Sequence, residues 1–380
     1  MKKRKILYIS GTRADYGLMN NTLKLLRKSF SVEIAVTGMH LMKEFGYTIS
    51  DIESDNFIVH KINTVYKDDV IESTPVFLAN FIINLTNKIK EINPDFILLL
   101  GDRAEMLGGA VIGTYMSIPV IHIHGGDVSG HVDDYVRHAI TKLSDIHLAA
   151  SVASADKLRT LGEDPRRIYI TGAPGLDDIS SKKYSTKIDV FRKFSLDSSK
   201  KILLVIQHPV STEFGKESFQ MTETMESIKS FCENNFFQAV IIYPNSDPGG
   251  RKMIDVIDKY RKYNFIKIFK NLSRDDFLDI LNNTSVMIGN SSSGIIESSM
   301  FELPVINIGS RQSGRERASN VIDCSYRRDD ILNSLKKALY DKKFINAVKK
   351  CKTPYGDGTA GIKIFDILSK IKVNKKYNYK

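Results

Sequence analysis

The sequence predicts an α/β protein with two doubly wound, Rossmann-like domains. Short β-branched runs that are apolar on both faces alternate with amphipathic stretches, which is typical of parallel strands covered by helices on both sides. This alternation stops at a polar stretch, residues 177–200, and then starts again. We therefore predict one domain over residues 1–176 and a second over 177–360. A C-terminal segment, 361–380, would add a helix that packs back toward the first domain, followed by a basic tail.

The apolar runs predict six strands in the first half and five in the second. These strands are Lys5–Ser10, Val32–Thr37, Phe57–Ile62, Asp95–Leu100, Pro119–His122, Ile146–Ala150, Lys201–Ile206, Ala239–Tyr243, Phe265–Phe269, Val286–Ile288 and Val305–Ile308. Helical periodicity predicts helices at Gly17–Lys28, Val76–Ile89, Ala104–Met116, Tyr135–Leu143, Phe219–Asn234, Arg251–Tyr260, Arg274–Asn282, Gly294–Phe301, Asp329–Tyr340 and Gly361–Ile371.

The composition excludes several classes of protein. At 380 residues, with 42% hydrophobic and 26% charged residues, the chain is about two ordinary soluble domains long. The longest apolar runs, such as Phe96–Leu100, are far shorter than the ~20 residues of a membrane span. Polar Ser10–Asp15 stands where a signal peptide would need its apolar stretch. We therefore expect a cytoplasmic enzyme with no membrane partner.

The formal net charge is +11, and much of the excess lies at the two ends of the chain. Such basic tails are usually solvated, so we predict no nucleic-acid partner. The remaining mild excess suits an anionic small substrate such as a nucleotide. The three cysteines are widely spaced and form no CxxC pair, which argues against a disulfide framework or a cysteine zinc site.

Polar segments follow six of the predicted strands, three in each domain. They are Gly11–Asp15, Gly101–Arg103, His122–Asp134, Gln207–Pro209, Pro244–Asn245 and Gly289–Gly294. Ligands of doubly wound domains bind at the carboxyl ends of the strands, and two facing domains make a cleft. We therefore predict that these segments form two walls of one active site in the interdomain cleft.

The small-residue turn Gly289–Gly294 leads into a predicted helix. Exposed backbone amides and the helix dipole there would bind a phosphate, although an ordinary serine-rich cap has the same pattern. Glu297, on the first turn of that helix, would bond ribose hydroxyls. Arg311 and Arg315 suit phosphate or base contacts, and a plain surface loop fits them equally. The sequence has neither GxxxxGK[ST] nor GxGxxG, so P-loop NTPases and dinucleotide dehydrogenases lose their usual support.

His122 and His124 would lie on the same side of a strand, because side chains alternate. Such a pair can bind zinc, with nearby Asp and His side chains as further ligands, and a metal-dependent hydrolase is therefore an alternative. The other interpretation is that both rings bond backbone and substrate. The candidate further ligands are Asp102, Asp127, Asp133, His138 and His147.

Asp102 and Asp133 are carboxylates at or just beyond two strand ends. Paired carboxylates can divide general base and general acid work when their surroundings separate their pKa values. An equally good interpretation is that Asp133 and Asp134 cap the next helix.

These motifs resemble the hydrolysing UDP-N-acetylglucosamine 2-epimerases. The resemblance runs from about Lys5 to Asp323 through the blocks Gly11–Gly17, Thr37–His40, Gly101–Arg103, His122–His138, Gln207–Val210, Tyr243–Asn245, Gly289–Ser292 and Gly309–Arg315. It implies a glycosyltransferase-B-like fold that closes on a UDP-sugar, with neither a metal nor another cofactor. A homo-oligomer, either a dimer or a tetramer, is also implied.

The resemblance implies a two-step reaction on UDP-N-acetylglucosamine, within sialic acid biosynthesis. The C2 proton is removed and UDP leaves anti, which gives 2-acetamidoglucal. Water then adds, and N-acetylmannosamine is released. A related branch hydrolyses UDP-2,4-diacetamido-2,4,6-trideoxyglucose on the way to legionaminic acid, and this substrate is the alternative.

The resemblance also assigns residues. Asp102 and Asp133 match the catalytic acids of the family. Many members read HIEGGE where this chain reads HIHGGD, so either His124 or Asp127 would replace the missing glutamate; we take His124 as the third catalytic residue. The residues assigned to substrate binding are Arg13, Arg103, His138, His208, Asn245, Ser291, Ser292, Glu297 and Arg311.

Other reaction classes stay open beside this interpretation. A retaining glycosyltransferase would share the fold and the UDP site but would need an acceptor. The non-hydrolysing epimerases are close cousins that would release UDP-N-acetylmannosamine. A non-enzymatic nucleotide sensor would leave Asp102 and Asp133 without a task.

Overall fold

The structure of the protein, a computed structural model, describes residues 3–130 and 132–371. These residues form two compact units. Unit 1 contains the described residues up to Asp68, then Glu72–Ser180 and those from Tyr355 onward, and unit 2 contains Asp69–Ile71 and Ser181–Pro354. The predicted basic tail beyond residue 371 lies outside the described residues.

Each unit has one fully parallel sheet. The strands of unit 1 are β1 (Lys5–Ser10), β2 (Ser31–Val36), β3 (Ile58–Lys61), β4 (Phe96–Leu100), β5 (Val120–Ile123), β6 (Ile146–Ala149) and β7 (Ile168–Ile170). Those of unit 2 are β8 (Lys201–Ile206), β9 (Phe237–Ile242), β10 (Ile266–Phe269), β11 (Thr284–Gly289), β12 (Val305–Ile308) and β13 (Val321–Cys324). The strand orders are β3-β2-β1-β4-β5-β6-β7 and β10-β9-β8-β11-β12-β13. Both orders start from an inner strand and wind outward in both directions, which confirms the predicted pair of doubly wound domains.

Helices connect the strands throughout. They are α1 (Arg13–Leu26), α2 (Ile49–Ser54), α3 (Ser73–Ile92), α4 (Ala104–Tyr115), α5 (Val132–Lys142), α6 (Val152–Thr160), α7 (Gly175–Ser181), α8 (Lys187–Lys193), α9 (Glu217–Glu233), α10 (Gly250–Asp258), α11 (Arg274–Asn282), α12 (Ser293–Ile296), α13 (Arg328–Tyr340), α14 (Lys342–Val348) and α15 (Ala360–Lys370). Within the described ranges, no helix combines the length and the hydropathy that a membrane span requires.

The last helix, α15, belongs to the core of unit 1. Ile364 and Leu368 are buried in the same apolar cluster as Met19 of α1. Each such side chain contributes roughly 1.5–3 kcal/mol when it is fully buried. The Arg4 guanidinium also donates to the carbonyl oxygens of Leu368 at 2.8 Å and Ile371 at 2.6 Å. Side-chain burial against α1 and hydrogen bonds from Arg4 to the end of the helix therefore hold α15 in unit 1.

Two strands that the sequence did not predict are β7 and β13. Each is the edge strand of its sheet, and each is short and partly exposed. An edge strand need not be apolar on both faces, and the short runs of β7 and β13 lack that pattern, whereas the other two edge strands, β3 and β10, were predicted.

The prediction of one helix over Gly294–Phe301 is wrong. Helix α12 ends at Ile296, and a separate 3₁₀ turn covers Ser298–Phe301. Ser298 Oγ donates to the carbonyl oxygen of Gly294 at 2.6 Å. A serine hydroxyl that bonds back to the preceding turn competes with the backbone and bends helices, which fits a break at this point.

Candidate active site

The turn between β1 and α1 is built around a capping box. Thr12 Oγ1 accepts a hydrogen bond from the Asp15 amide at 3.1 Å, while Asp15 Oδ2 accepts one from the Thr12 amide at 2.7 Å. This cap starts α1 at Arg13, four residues before the predicted start at Gly17. Arg13 therefore lies on the first helical turn, where its guanidinium pairs with Asp51 at 2.7 Å.

Arg103 is fixed by a carboxylate that the sequence analysis missed. Its Nε donates to Oε1 of Glu105 at 2.7 Å, and Glu105 is fully buried. Glu105 fits there because residue 11 is glycine: a Cβ on Gly11 would stand 1.7 Å from Glu105 Oε1. The close approach of Gly11 and the buried carboxylate together give Arg103 one orientation.

Asp102 lies in the loop after β4, directly behind Gly101, whose φ of +78° favours glycine. Oδ2 of Asp102 accepts a hydrogen bond from the guanidinium of Arg137 on α5. Arg137, whose side chain is 1% exposed, also donates to Asp134 Oδ1 at 2.5 Å and to the Asp127 carbonyl oxygen at 2.8 Å. Burial lowers the pKa of Arg137, but the surrounding carboxylates, Asp102 first, outweigh burial and raise this pKa above its usual value. One buried guanidinium thus joins the loops after β4 and β5.

The two neighbouring carboxylates at the start of α5 have different partners. Asp134 accepts hydrogen bonds from the amides of Ser129 at 2.8 Å and Gly130 at 2.7 Å. Burial raises the pKa of Asp134, but these bonds and Arg137 lower it below its usual value. Asp134 therefore holds the loop that precedes α5 through hydrogen bonds to its backbone. Asp133 lies beside it in the first turn of α5 and acts on Arg137 through its charge.

His122 and His124 do not share a strand face, contrary to the prediction. Strand β5 ends at Ile123, and His124 has a left-handed backbone with φ of +64°. Strand alternation therefore does not set its direction. His122 Nε2 bonds to the carbonyl oxygen of Gly101 at 2.8 Å, whereas His124 Nδ1 bonds to Oδ2 of Asp127 at 2.8 Å. Among the residues that the structure describes, no group of three or more His, Cys, Asp or Glu is arranged to hold a metal ion.

His122 is a buried neutral ring. Burial is the main cause that lowers its pKa to about 3, and the nearby His147 and Arg137 lower it further. The hydrogen bond to the Gly101 carbonyl oxygen and the charge of Asp102 both raise this pKa, but they oppose the shift only in part. His138 on α5 also has a lowered pKa, again because of burial first, and its Nδ1 has no hydrogen-bond partner among the described residues.

In unit 2 the strand-end residues meet at Asn290, which the sequence analysis did not single out. The Asn290 side chain accepts from the His208 amide at 2.7 Å and donates to the His208 carbonyl oxygen at 2.9 Å. His208 Nδ1 in turn accepts from the amide of Asn245 at 3.1 Å. The backbone carbonyl oxygen of Asn290 accepts hydrogen bonds from the Arg311 side chain at 3.3 Å and from the Gln312 side chain at 3.0 Å. Asn290 thus links the ends of β8, β11 and β12 through its side-chain amide and its backbone carbonyl, and His208 extends this link to the end of β9.

The turn after β11 has the tight geometry that its glycine suggested. Gly289 has φ of +126°, and a Cβ there would stand 2.0 Å from the carbonyl oxygen of Ile206. Ser291 and Ser292 directly precede α12, as predicted from the sequence, but α12 is only four residues long. A short helix contributes little dipole, so a phosphate here would depend on individual amides and hydroxyls.

The predicted position of Glu297 on the first turn of a helix is wrong. Glu297 stands at the C-terminal end of α12, is 1% exposed, and pairs with Arg274 at 2.6 Å. Arg274 begins α11, and the sequence gave no signal for this ion pair.

The two sets of predicted residues therefore gather around different hubs. In unit 1, Arg137 joins the loop that carries Asp102 to the first turn of α5, which carries Asp133, and Asp127 joins His124 to them. The sequence did contain a signal for the first hub. Asp133 and Asp134 stand four and three residues before Arg137 on one helix, and side chains at these spacings are neighbours. In unit 2, Asn290 joins His208, Asn245 and Arg311.

Comparison with known proteins identifies the family. A family model described as UDP-N-acetylglucosamine 2-epimerase matches residues 24–369. The chain belongs to the UDP-N-acetylglucosamine 2-epimerase family. The resemblance and the expectation of a UDP-sugar 2-epimerase enzyme are confirmed.

Named relatives of this epimerase cover almost its whole length. A Legionella pneumophila protein named UDP-N,N'-diacetylbacillosamine 2-epimerase (hydrolyzing) is 41% identical over 98% of this chain and 97% of its own. A Neisseria meningitidis protein named UDP-N-acetylglucosamine 2-epimerase is 33% identical over 90% of this chain and 89% of its own. A Campylobacter jejuni protein named GDP/UDP-N,N'-diacetylbacillosamine 2-epimerase (hydrolyzing) is 32% identical over 85% of each chain.

Solved structures with the same fold include other epimerases. The Neisseria meningitidis UDP-GlcNAc 2-epimerase bound to UDP-GlcNAc has a TM-score of 0.81 at 19% identity, over 97% of this epimerase and 100% of that chain. The Methanocaldococcus jannaschii enzyme in complex with UDP-GlcNAc and UDP has a TM-score of 0.77 at 19% identity, over 96% and 99% of the two chains. This likeness confirms the predicted fold class.

Proposed function

We propose that the protein is a hydrolysing 2-epimerase of UDP-2,4-diacetamido-2,4,6-trideoxyglucose, which is UDP-N,N'-diacetylbacillosamine. The products are UDP and 2,4-diacetamido-2,4,6-trideoxymannose. The observation that carries this substrate is the 41% identity to the Legionella hydrolysing epimerase over nearly the full length of both chains. UDP-N-acetylglucosamine is the substrate that the sequence predicts first and this sugar is the alternative; the Legionella relative favours the alternative.

The proposed chemistry is proton transfer at C2, and unit 1 supplies groups suited to it. Elimination needs a base for a weakly acidic C–H bond, and hydration needs a proton delivered to the other face of C2. We assign these tasks to Asp102, His124 and Asp133. Asp102 is already paired with the buried guanidinium of Arg137, whereas an imidazole is the side chain that most often acts as a general base. His124 is therefore the better candidate for removing the C2 proton.

Substrate binding is assigned to the remaining strand-end residues. Arg13 and Arg103 are oriented by Asp51 and Glu105, which suits them to an anionic ligand. In unit 2, UDP would be bound by the residues gathered around Asn290 and by the turn after β11. This set comprises His208, Asn245, Ser291, Ser292 and Arg311, with Glu297 of the same unit and His138, on α5 of unit 1, as the further proposed contacts.

A parallel NMR time course tests the substrate. Purified enzyme is incubated, without added metal, with either UDP-N,N'-diacetylbacillosamine or UDP-N-acetylglucosamine, and proton and phosphorus spectra are followed. We expect free UDP and the diacetamido mannose sugar from the first, with at least tenfold slower turnover of the second. The second candidate, UDP-N-acetylglucosamine, is favoured by the Neisseria relative, and faster turnover of that sugar would overturn the proposed substrate. Release of an intact epimerised UDP-sugar would overturn the hydrolysing reaction.

A further inference from the structure

His124 is held by a short chain of hydrogen bonds within unit 1. Its Nδ1 bonds to Asp127 Oδ2 at 2.8 Å, and the other carboxylate oxygen of Asp127 accepts from Ser154 Oγ at 2.7 Å. The Asp127 side chain is 3% exposed, whereas that of His124 is 12% exposed. Among the described residues, His124 Nε2 has no hydrogen-bond partner. The ring therefore has one nitrogen anchored in the protein and one nitrogen available.

The backbone of this loop is shaped to bring the two side chains together. The His124 amide donates to the Leu148 carbonyl oxygen at 3.1 Å, which fixes the left-handed turn with φ of +64°. Gly126 follows with φ of +81°, and a Cβ there would stand 2.1 Å from the Ser154 carbonyl oxygen. A left-handed non-glycine residue costs conformational energy and persists only where its surroundings hold it, and such residues cluster at functional sites.

We propose that Asp127 is a positioning residue that holds His124 in the Nδ1–H tautomer, so that Nε2 accepts the C2 proton of the substrate. The proposal rests on the function proposed above. A carboxylate that accepts the Nδ1–H bond orients the imidazole and stabilises the imidazolium that forms during proton transfer. The chain thus uses His124 and Asp127 as one unit, rather than either residue alone.

The proton and electron balance of the step is complete. The lone pair of His124 Nε2 takes the C2 proton, and the C2–H bonding pair becomes the C1–C2 π bond. The C1–O bond breaks, and its pair stays on the β-phosphate oxygen of UDP. Water then adds its hydroxyl group to C1 while C2 receives a proton on the opposite face, and the imidazolium returns its proton to solvent. The net consumption is one water per UDP-sugar.

A purely structural role for Asp127 gives different expectations. The backbone carbonyl oxygen of Asp127 accepts a hydrogen bond from Arg137 of α5. The side-chain carboxylate of Asp127 accepts one from Ser154 of α6. Asp127→Ala keeps the backbone carbonyl oxygen and loses the side-chain bond to Ser154, so a purely structural role predicts lower stability with unchanged protonation of the His124 ring. Ser154→Ala removes one of these contacts and leaves the carboxylate on His124, so it serves as the matched control.

The first test needs no substrate. Long-range ¹⁵N–¹H spectra of the histidine rings, with His124 assigned by its loss in His124→Gln, report which nitrogen carries the proton at neutral pH. We expect Nδ1 to be protonated in the wild type and in Ser154→Ala, and Nε2 to be protonated in Asp127→Ala. A wild-type ring protonated on Nε2 overturns the proposal, even if Asp127→Ala does not fold.

The second test separates catalysis from binding. With the better of the two UDP-sugars, Asp127→Ala should lower kcat by about 10²-fold while KM stays within about twofold, because the lost function is general base positioning. Asp156→Asn, an exposed aspartate on the same helix as Ser154, should behave as wild type. A fall in kcat equal in Asp127→Ala and Ser154→Ala would overturn the positioning role. Expected ring protonation together with no turnover of either UDP-sugar would instead overturn the proposed function.

Discussion

The strand ends of unit 1 and unit 2 are organised in opposite ways. In unit 1, Asp102, Asp134 and the Asp127 carbonyl oxygen surround the one buried guanidinium of Arg137. In unit 2, the hub is a neutral amide, Asn290. A buried charge needs partners of opposite charge, whereas a buried amide needs only hydrogen bonds. The contrast supports the division proposed here, with proton transfer by unit 1 and nucleotide binding by unit 2.

The largest expected effect is on turnover. Asp102→Asn and Asp133→Asn should each lower kcat by about 10²–10⁴-fold, because each removes a proposed acid–base group while keeping its shape. Binding of UDP, measured by titration calorimetry, should stay within about twofold of the wild type. Wild-type kcat in both variants would break the assignment of chemistry to unit 1.

Replacing one arginine in each unit compares the buried cation of unit 1 with a partly buried one of unit 2. Arg137→Met should lower the free energy of unfolding by about 3–5 kcal/mol, since the carboxylates around it would lose their buried cation. Arg311→Met should cost less than about 1 kcal/mol, because Arg311 is only partly buried. Urea unfolding of both variants measures these values. Equal losses in the two variants would contradict the larger contribution that we assign to the buried cation of unit 1.

The pH dependence of stability should have a contribution from His122 in unit 1. Its pKa is about 3 in the folded state against the ordinary 6.5, so the unfolded chain binds the extra proton between these values. The free energy of unfolding therefore falls as pH drops below about 6.5, by up to about 1.4 kcal/mol per pH unit from this residue, and is unaffected above that pH. His122→Gln should show a shallower loss between pH 7 and pH 5 in urea unfolding. An unchanged slope would show that His122 is not the group responsible.

The smallest expected effect concerns the turn after β11. Ser292→Ala should weaken UDP binding by about 2–12-fold, which corresponds to the ~0.5–1.5 kcal/mol of one hydrogen bond. The free energy of unfolding should change little, because Ser292 is only partly buried. Titration calorimetry with UDP gives the affinity, and an unchanged value would remove Ser292 from the proposed phosphate contacts.

The sequence predicted the parts of the molecule that repeat a pattern. The inner strands are apolar on both faces, and polar residues follow them, so both the sheets and the strand-end loops could be predicted. The left-handed turn at His124 could not, because it depends on the backbone of Leu148 in the next strand. The hubs were missed for a similar reason: Arg137 and Asn290 acquire their roles from partners on other elements.

Solvent isotope incorporation tests the central claim most directly. The wild-type enzyme is run in D₂O with whichever UDP-sugar it hydrolyses, and the free sugar is analysed by proton NMR and mass spectrometry at C2. Proton removal and return by groups of unit 1 predicts a released sugar that carries one deuterium at C2. A product that keeps its original hydrogen at C2 would contradict proton transfer at that carbon, and with it the role assigned to Asp102, His124 and Asp133.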